Sequence, residues 1–310
     1  MFAGEGGGII LNIKPLLSFL DNPSDYEYTT DTPASELTSF RVGGPVSVVA
    51  YPKNKGALCA LLRFLSEREI RHTVLGCCSN VLAPDEGYDG VFVVTTKMTA
   101  LDITDEVMTA ECGRGITSCA SAAQKAGLSG LEFAYGIPGS VGGAVFMNAG
   151  AYGSEVANVI TKAECYDPAT RKFHTFTREE LCLGYRDSIL RHNGMIVLSA
   201  EFALNRRDPD EIMAEMADYM SRRRDKQPLE YPSAGSVFKR APGHFTGKLI
   251  EDAGLKGARI GGAEVSEKHA GFIVNRGGAT AADVKALVSL IEARIYELYG
   301  VALERELIYL

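Results

Sequence analysis

The chain has 310 residues, and its 32 lysines and arginines against 39 aspartates and glutamates give a net charge of −7. This length predicts two or three domains with a substantial core, and a composition of 46% hydrophobic and 23% charged residues excludes a disordered, collagen-like or disulfide-scaffold chain. The acidic balance also argues against a general nucleic-acid binder, because neutralising phosphates needs a basic face.

Short apolar and β-branched runs predict strands in the first two thirds of the chain. Between the first two runs, four leucines from 58 to 65 recur at helical spacing and predict a helix over 54–70. A second helix, rich in small residues, is predicted over 116–126. The predicted strands are 46–51, 72–75, 91–96, 108–112 and 195–204.

Capping residues predict where the remaining helices begin. Thr177 followed by Glu180 has the capping-box pattern and predicts a short helix. The Asp208-Pro209 pair gives the signals for a helix that runs to about residue 226, and a last helix is predicted over 280–298. The residues alone therefore predict an α+β protein with one region before about residue 206 and another after it.

Cysteine spacing and the amino terminus bear on localisation. The seven cysteines form no C-x-x-C pair, so neither a zinc site nor a disulfide framework is expected, and the thiols fit a reducing cytoplasm. Glu5 precedes the first lysine, and Lys14 and Pro15 interrupt the apolar run, which is unlike a signal peptide. The glycine run 6–8 is expected to be disordered. Since no window reaches ~18 uninterrupted apolar residues, no membrane span is expected.

Several common catalytic motifs are absent from the sequence. There is no G-x-G-x-x-G, no G-x-S-x-G and no H-E-x-x-H. The segment 243–248 is one residue short of a P-loop, and Leu249 stands in place of the metal-binding hydroxyl. Common nucleotide-binding and hydrolase classes are therefore disfavoured.

Two glycine-rich segments remain as candidate ligand loops. The first, 75–82, directly follows a predicted strand, and its small residues can present backbone N–H groups to a phosphate. The second spans 136–144 and continues through 148–153, where many glycines let the backbone lie against a planar or diphosphate ligand. Tight turns between strands explain the composition of these loops equally well.

The residues of these loops, and their order along the chain, resemble those of the UDP-N-acetylenolpyruvoylglucosamine reductase family, also called UDP-N-acetylmuramate dehydrogenases. The resemblance runs from about residue 38 to 307, and although each motif is weak alone, their shared order is specific. The motifs that carry it are 38–45 (TSFRVGGP), both glycine-rich loops, 184–188 (GYRDS), 234–239 (AGSVFK), 249–274 and 303–306 (LERE).

The resemblance implies an α+β fold with a two-part FAD-binding domain of the vanillyl-alcohol oxidase/para-cresol methylhydroxylase type and a C-terminal α+β substrate-binding domain. We expect the first FAD-binding part at 1–97, the second at 98–207 and the substrate domain at 208–299, with 300–310 returning to the first part. No insertion separates Ser188 from Ile196, so the shorter, type II form is expected.

The resemblance also implies an activity. The family reduces UDP-N-acetylglucosamine enolpyruvate to UDP-N-acetylmuramate for peptidoglycan synthesis, with non-covalently bound FAD and NADPH as hydride donor. Hydride passes from NADPH to FAD and then to the vinyl carbon, after which the α-carbon is protonated. The expected partners are this substrate and NADPH, without nucleic acid or membrane. The sequence sets no oligomeric state, and a monomer fits it.

Three catalytic residues follow from the matching positions. Ser236 matches the family's proton donor, and Arg186 matches an active-site arginine whose planar fork can bind a carboxylate. Glu306 matches an acidic residue that helps polarise the substrate carboxylate. Its apolar neighbours in sequence would raise its pKa on burial.

The remaining implied contacts belong to the cofactor and the substrate. Tyr185, Arg223 and Lys226 are expected at the substrate, His269 is read as structural, and no metal ligand is expected. The expected cofactor-binding residues are Gly76, Cys77, Cys78, Ser79, Asn80, Gly136, Ile137, Pro138, Gly139, Ser140, Gly142, Gly143, Ala144, Asn148, Gly150 and Ala151.

The sequence departs from the family pattern at three places. Cys77-Cys78 replaces more flexible residues of the first glycine loop, which could weaken FAD binding. Arg240 stands where Asn is common, and Ile308 stands where Arg is common. Two other functions stay open: an FAD oxidase of the same fold, and a UDP-sugar-binding module that has lost its flavin.

Overall fold

The computed structural model describes residues 13–310. The expectations about the glycine run 6–8 and about a signal peptide therefore lie at least partly outside the described residues. The elements before residue 98 are α1 (Lys14–Leu20), β1 (Tyr26–Pro33), α2 (Ala34–Leu37), β2 (Pro45–Pro52), α3 (Lys55–Glu67), β3 (His72–Leu75), β4 (Val81–Leu82) and β5 (Tyr88–Val94).

A four-stranded sheet of order β1-β2-β5-β3 organises this first part. Strand β1 pairs antiparallel with β2, while β5 runs parallel to both β2 and β3. Helix α3 begins where Asn54 accepts the backbone N–H of Ala57, and it buries its leucine face against the core. The predicted strand 72–75 and the leucine-faced helix are confirmed.

The second part contains β6 (Leu101–Thr104), β7 (Val107–Glu111), α4 (Ile116–Lys125), β8 (Leu128–Ser129), α5 (Val141–Phe146), β9 (Gly150–Ala151), β10 (Ser154–Glu155), β11 (Ile160–Asp167), β12 (Lys172–Thr177), α6 (Leu190–Asn193), β13 (Ile196–Ala203) and β14 (Asn205–Arg206). Its main sheet is antiparallel, with the order β12-β11-β13-β7-β6.

The helix predicted after Thr177 is wrong. Both capping-box hydrogen bonds form, since Thr177 N–H donates to Glu180 Oε2 over 2.8 Å and Glu180 N–H donates to Thr177 Oγ1 over 3.3 Å. The segment nevertheless turns and does not propagate a helix, because Cys182 adopts φ 46°, in the left-handed region. The capping pattern here stabilises a turn.

The third part contains α7 (Pro209–Lys226), β15 (Ser233–Ser236), α8 (Thr246–Asp252), β16 (Arg259–Ile260), β17 (Ala263–Val265), β18 (Phe272–Asn275), α9 (Ala281–Tyr299) and β19 (Ile308–Tyr309). Strands β15-β18-β17-β16 form an antiparallel sheet, and the buried face of α9 joins the same apolar core as that sheet. Both predicted long helices are confirmed, with Asp208 and Thr280 as their N-caps.

Several contacts join the third part to the other two, among them a strand pair and a shared core. Strand β19 pairs in parallel with β4, which places the end of the chain beside the loop that follows β3. The buried side chains of α7, Ile212 and Met216, belong to the core of the first two parts. The expected boundaries between the three parts stay a prediction.

None of the helices in residues 13–310 is long and apolar enough to cross a membrane. Across the same residues, no cluster of three or more histidine, cysteine, aspartate or glutamate side chains could hold a metal ion. All seven cysteines are free thiols.

Candidate active site

A cleft of about 1480 Å³ lies where the three parts of the molecule meet. Single small-molecule sites typically occupy roughly 300–1,000 Å³, so this cleft has room for a dinucleotide together with a second ligand. Loops of the first two parts form one wall, which we call the glycine wall and which consists of 76–80, 137–144 and 149–151. Other residues of the cleft carry charged or hydroxyl side chains, and this set, which we call the polar wall, includes Arg186, Arg223, Ser236 and Glu306.

The glycine wall depends on close approach between its two loops. A Cβ at Gly76 would lie 1.9 Å from the Oγ of Ser140 and 2.9 Å from its Cβ. Ser140 is itself buried and caps α5 by accepting the backbone N–H of Gly143 over 3.2 Å. A Cβ at Gly142 would lie 3.0 Å from the Cβ of Cys112. Glycine is therefore required for the two loops to present their backbone to the cleft.

The two adjacent cysteines fit into this wall without disrupting it. Cys78 adopts φ 50°, in the left-handed region, and its Sγ lies 3.6 Å from the carbonyl oxygen of Gly76. Burial raises the pKa of the Cys78 thiol to about 12 and also raises that of Cys77. Both side chains are therefore neutral thiols.

Two residues of the polar wall, Arg186 and Glu306, form an ion pair. Arg186 Nε donates to Glu306 Oε1 over 2.9 Å, and the two side chains are only 19% and 16% exposed. The same guanidinium donates from Nη2 to the carbonyl oxygen of Gly150 over 2.8 Å. The fork of Arg186 thus links the end of the chain to a loop of the second part.

Neighbouring residues fix the unusual backbone of Arg186. Its φ of 53° is left-handed, and its carbonyl oxygen accepts Nη1 of Arg191 over 2.7 Å. Asn148 is fully buried and donates from Nδ2 to the carbonyl oxygen of Gly184 over 2.8 Å, while its Oδ1 accepts Ala157 N–H over 2.9 Å. These bonds hold the turn that carries Arg186.

Burial raises the pKa of Glu306 above its ordinary value, as its apolar sequence neighbours led us to expect. The positive charges of Arg186, Lys239 and Arg191 act in the opposite direction but do not overcome the burial. Asn80 donates from Nδ2 to the carbonyl oxygen of Glu306 over 3.0 Å, which fixes the backbone beside the glycine wall. Glu306 therefore loses its proton at a higher pH than an ordinary glutamate does.

Ser236 ends strand β15 and faces the same cleft. Its backbone pairs with Phe272 after a distortion at Gly235, whose φ is 78°. The hydroxyl makes no hydrogen bond to any residue from 13 to 310 and is free for a ligand. A Cβ at Gly271 would lie 3.8 Å from this hydroxyl oxygen and 2.9 Å from the ring of His269, so glycine keeps the space beside Ser236 open.

Arg223 is the clearest anion-binding candidate of the polar wall. It lies near the end of α7 and lines the cleft, and burial lowers the pKa of its guanidinium. Among the residues that the structure describes, no carboxylate lies within ion-pair distance of it. Tyr185 also lines the cleft, with 49% of its surface exposed, and its hydroxyl accepts Arg240 N–H over 3.2 Å.

Three residues expected at the ligands do not line the cleft. Asn148 is buried in the turn described above. Gly136 supports Arg223, since a Cβ there would lie 2.9 Å from the Cδ of that arginine. Lys226 is exposed at the last residue of α7, whereas the following Gln227 is extended and lines the cleft instead.

The cleft also contains residues that sequence reasoning missed. Lys248 and Lys268 line it, and both lie in the glycine-rich stretch of the third part. His269 lines it too, and its Nδ1 accepts Gly271 N–H over 3.1 Å. Lys268 and His269 lie within the matched segment 249–274 and Lys248 directly precedes it, but a matched segment does not show which of its side chains face inward.

Comparisons with known proteins cover most of the chain. Residues 46–175 match the model of an FAD binding domain, and residues 227–310 match that of the C-terminal domain of UDP-N-acetylenolpyruvoylglucosamine reductase. The chain is 46% identical over 286 residues to the UDP-N-acetylenolpyruvoylglucosamine reductase of Caldicellulosiruptor bescii, an alignment covering 92% of this chain and 91% of that protein. It is 50% identical over 276 residues to the Lactobacillus johnsonii protein of the same name, covering 88% and 91%.

A solved structure has the same overall architecture. The crystal structure of UDP-N-acetylenolpyruvylglucosamine reductase from Thermus caldophilus matches with a TM-score of 0.77 at 35% sequence identity. The match covers 92% of this chain and 98% of that one.

Proposed function

The chain belongs to the UDP-N-acetylenolpyruvoylglucosamine reductase family, and we propose that it uses NADPH as hydride donor and Ser236 as proton donor. It is an FAD-dependent oxidoreductase that reduces the enolpyruvyl group of UDP-N-acetylglucosamine enolpyruvate in peptidoglycan synthesis. The predicted family, fold class, activity and FAD cofactor are confirmed.

The glycine wall fits FAD, because its loops present backbone to the cleft and pack so closely behind it that a Cβ at Gly76 or Gly142 would collide with Ser140 or Cys112. When bound there, FAD supplies reversible hydride chemistry between a nicotinamide and the vinyl carbon. We assign loops 76–80 and 137–144 to holding it. Asn148 and Gly136 support the site from outside the cleft.

Arg186 and Glu306 are assigned to the substrate carboxylate. When hydride adds to the vinyl carbon, negative charge develops on the α-carbon and spreads into the carboxylate. A guanidinium and a protonated carboxyl group can both donate hydrogen bonds to these oxygens, and such donors act best where the charge develops. The raised pKa of Glu306 favours the protonated form that donation needs.

Ser236 is assigned to the proton transfer that completes the reduction. Its O–H bond breaks as a C–H bond forms at the α-carbon, and the oxygen then regains a proton from solvent. The hydroxyl suits this step because no protein group among residues 13–310 engages it. The observation that carries the proposal is that Ser236, Arg186 and Glu306, which are far apart in sequence, line the same cleft as the glycine wall.

Arg223 is assigned to the diphosphate of the substrate, with Lys248 and Lys268 as further cations of the polar wall. Lys248 is paired with Asp252, and Lys268 lies 3.7 Å from Glu230, whereas Arg223 has no such partner within the described chain. We therefore assign the larger share of anion recognition to Arg223. The free thiols further support action in a reducing cytoplasm.

An anaerobic spectrum tests this function. FAD-loaded protein is mixed first with NADPH and then with UDP-N-acetylglucosamine enolpyruvate while the oxidised-flavin band is followed. We expect the band to bleach and then to return. Bleaching without return on substrate addition would contradict the assigned substrate, and a parallel run with NADH measures the preference for NADPH.

A further inference from the structure

A two-residue hairpin lies between the two arginines of the polar wall. Strands β9 and β10 pair through Ala151 and Ser154, and the turn residues Tyr152 and Gly153 have φ values of 56° and 86°. Two central residues with positive φ characterise a type I′ turn, which favours glycine, asparagine or aspartate. A tyrosine in this position is unusual, and its side chain has a specific partner.

One end of the hairpin holds Arg186. The carbonyl oxygen of Gly150 accepts Nη2 of that arginine over 2.8 Å. Gly150 has no room for a side chain, because a Cβ would lie 2.6 Å from the Cβ of Glu155. The hairpin backbone is thus packed tightly where it contacts the Arg186–Glu306 pair.

The turn of the hairpin holds helix α7. The ring of Tyr152 stacks on that of Tyr219, with centroids 4.4 Å apart and 6° between the planes, and its hydroxyl donates to the main-chain oxygen of Tyr219 over 2.9 Å. Tyr219 is anchored in turn, because its hydroxyl donates to Glu215, which pairs with Arg207 at 2.6 Å.

Tyr219 lies four residues before Arg223, so the two side chains share one face of α7. Tyr152 and Arg223 are close enough to interact electrostatically, and a Cβ at Gly136 would lie 2.9 Å from the Cδ of Arg223. Tyr152 does not itself line the cleft. The stack therefore contacts the segment that carries Arg223 without lining the cleft.

We propose that Tyr152 is a positioning residue: the Gly150–Glu155 hairpin joins Arg186 and Arg223 into one unit and sets the distance between the carboxylate and diphosphate ends of the substrate. This inference rests on the proposed role of Arg223 at the diphosphate. Since Tyr152 acts through Arg223, its loss weakens substrate binding only while that arginine is present.

A double-mutant cycle on the FAD-loaded enzyme tests the inference. Loss of an aromatic stack predicts a KM for UDP-N-acetylglucosamine enolpyruvate that is roughly three- to tenfold higher in Tyr152→Ala. We expect kcat to stay within about twofold, because binding and not the chemical step is affected. Tyr152→Phe keeps the stack and should restore most of the affinity.

The decisive comparison is Tyr152→Ala in an Arg223→Ala background, where we expect no further rise in KM. Additive effects of the two substitutions would overturn the positioning role. An Arg223→Ala enzyme with unchanged KM would instead contradict the proposed role of Arg223, so the two failures are distinguishable. Tyr296→Ala, at an exposed tyrosine of α9, is the matched control and should leave KM unchanged.

Discussion

The two walls of the cleft recognise ligands by different means. The glycine wall presents backbone, and its shape depends on side chains that are absent, as at Gly76, where a single Cβ would collide with Ser140. The polar wall presents charged and hydroxyl side chains, and its geometry depends on hydrogen bonds such as that between Arg186 and Glu306. On the proposed assignments, the glycine wall serves both half-reactions, whereas Ser236 and the Arg186–Glu306 pair serve only the reduction of the enolpyruvyl group.

The largest effect is expected from filling the glycine wall. Gly76→Ala places a Cβ 1.9 Å from Ser140 Oγ, and overpacking of this kind typically costs about 1–3 kcal/mol. We expect FAD binding to weaken by up to roughly a hundredfold, with loss of both half-reactions at low FAD. Fluorescence titration of the apoprotein with FAD measures this change.

Gly56→Ala is the matched control, because that glycine lies on α3 and its nearest contact would be the end of the Asn54 side chain at 3.3 Å. It should bind FAD as the unaltered protein does. Unchanged FAD affinity in Gly76→Ala would show that the glycine wall tolerates a side chain at this position, and would contradict the claim that FAD binding requires glycine there.

The contrast between the walls also separates what the sequence could predict from what it could not. Glycine clusters directly predict close backbone approach, and the strand His72–Leu75 that leads into the first loop was predicted residue for residue. Arg186 and Glu306 are 120 residues apart, so only the resemblance to a family brought them together.

Local sequence patterns do not show how a side chain is oriented. Asn148 follows a glycine loop and was assigned to the cofactor, but its amide satisfies buried backbone groups at Gly184 and Ala157. Periodicity and spacing do not show which way such a side chain turns, because that depends on partners that are remote in sequence.

An intermediate effect is expected at the polar wall. Glu306→Gln keeps a hydrogen-bond donor but removes the titration, so we expect flavin reoxidation by substrate to slow by roughly tenfold or more, while reduction by NADPH is unchanged. In the unaltered enzyme, reoxidation should slow as the pH rises through the raised pKa of Glu306, because the carboxyl then loses its proton. Stopped-flow traces across pH measure both, and an identical pH profile in the variant would contradict the assignment.

The raised pKa of Glu306 also makes the stability of the folded protein depend on pH. Because its pKa is raised in the folded protein, the folded state keeps a proton that the unfolded chain has lost, and stability falls as the pH rises from the ordinary glutamate value to the raised one. Glu306→Gln should flatten this part of the pH dependence in thermal unfolding.

The smallest effect is expected from a residue that the sequence placed at the substrate. Lys226 is exposed at the end of α7 and lies outside the cleft. Lys226→Ala should therefore change KM for the UDP-sugar by less than about twofold, as is usual for solvent-screened charges. A rise comparable to that of Arg223→Ala would mean that the polar wall extends further than the structure shows.

The division between the walls is tested most directly by Ser236→Ala, with both half-reactions followed by anaerobic stopped-flow spectroscopy. We predict flavin reduction by NADPH within about twofold of the unaltered enzyme and reoxidation by UDP-N-acetylglucosamine enolpyruvate slowed by roughly 10²–10⁴-fold. Ser233→Ala, on the same strand, should slow neither step to that extent. Equal slowing of both half-reactions in Ser236→Ala would contradict the account, because Ser236 would then shape the cleft and not donate the proton.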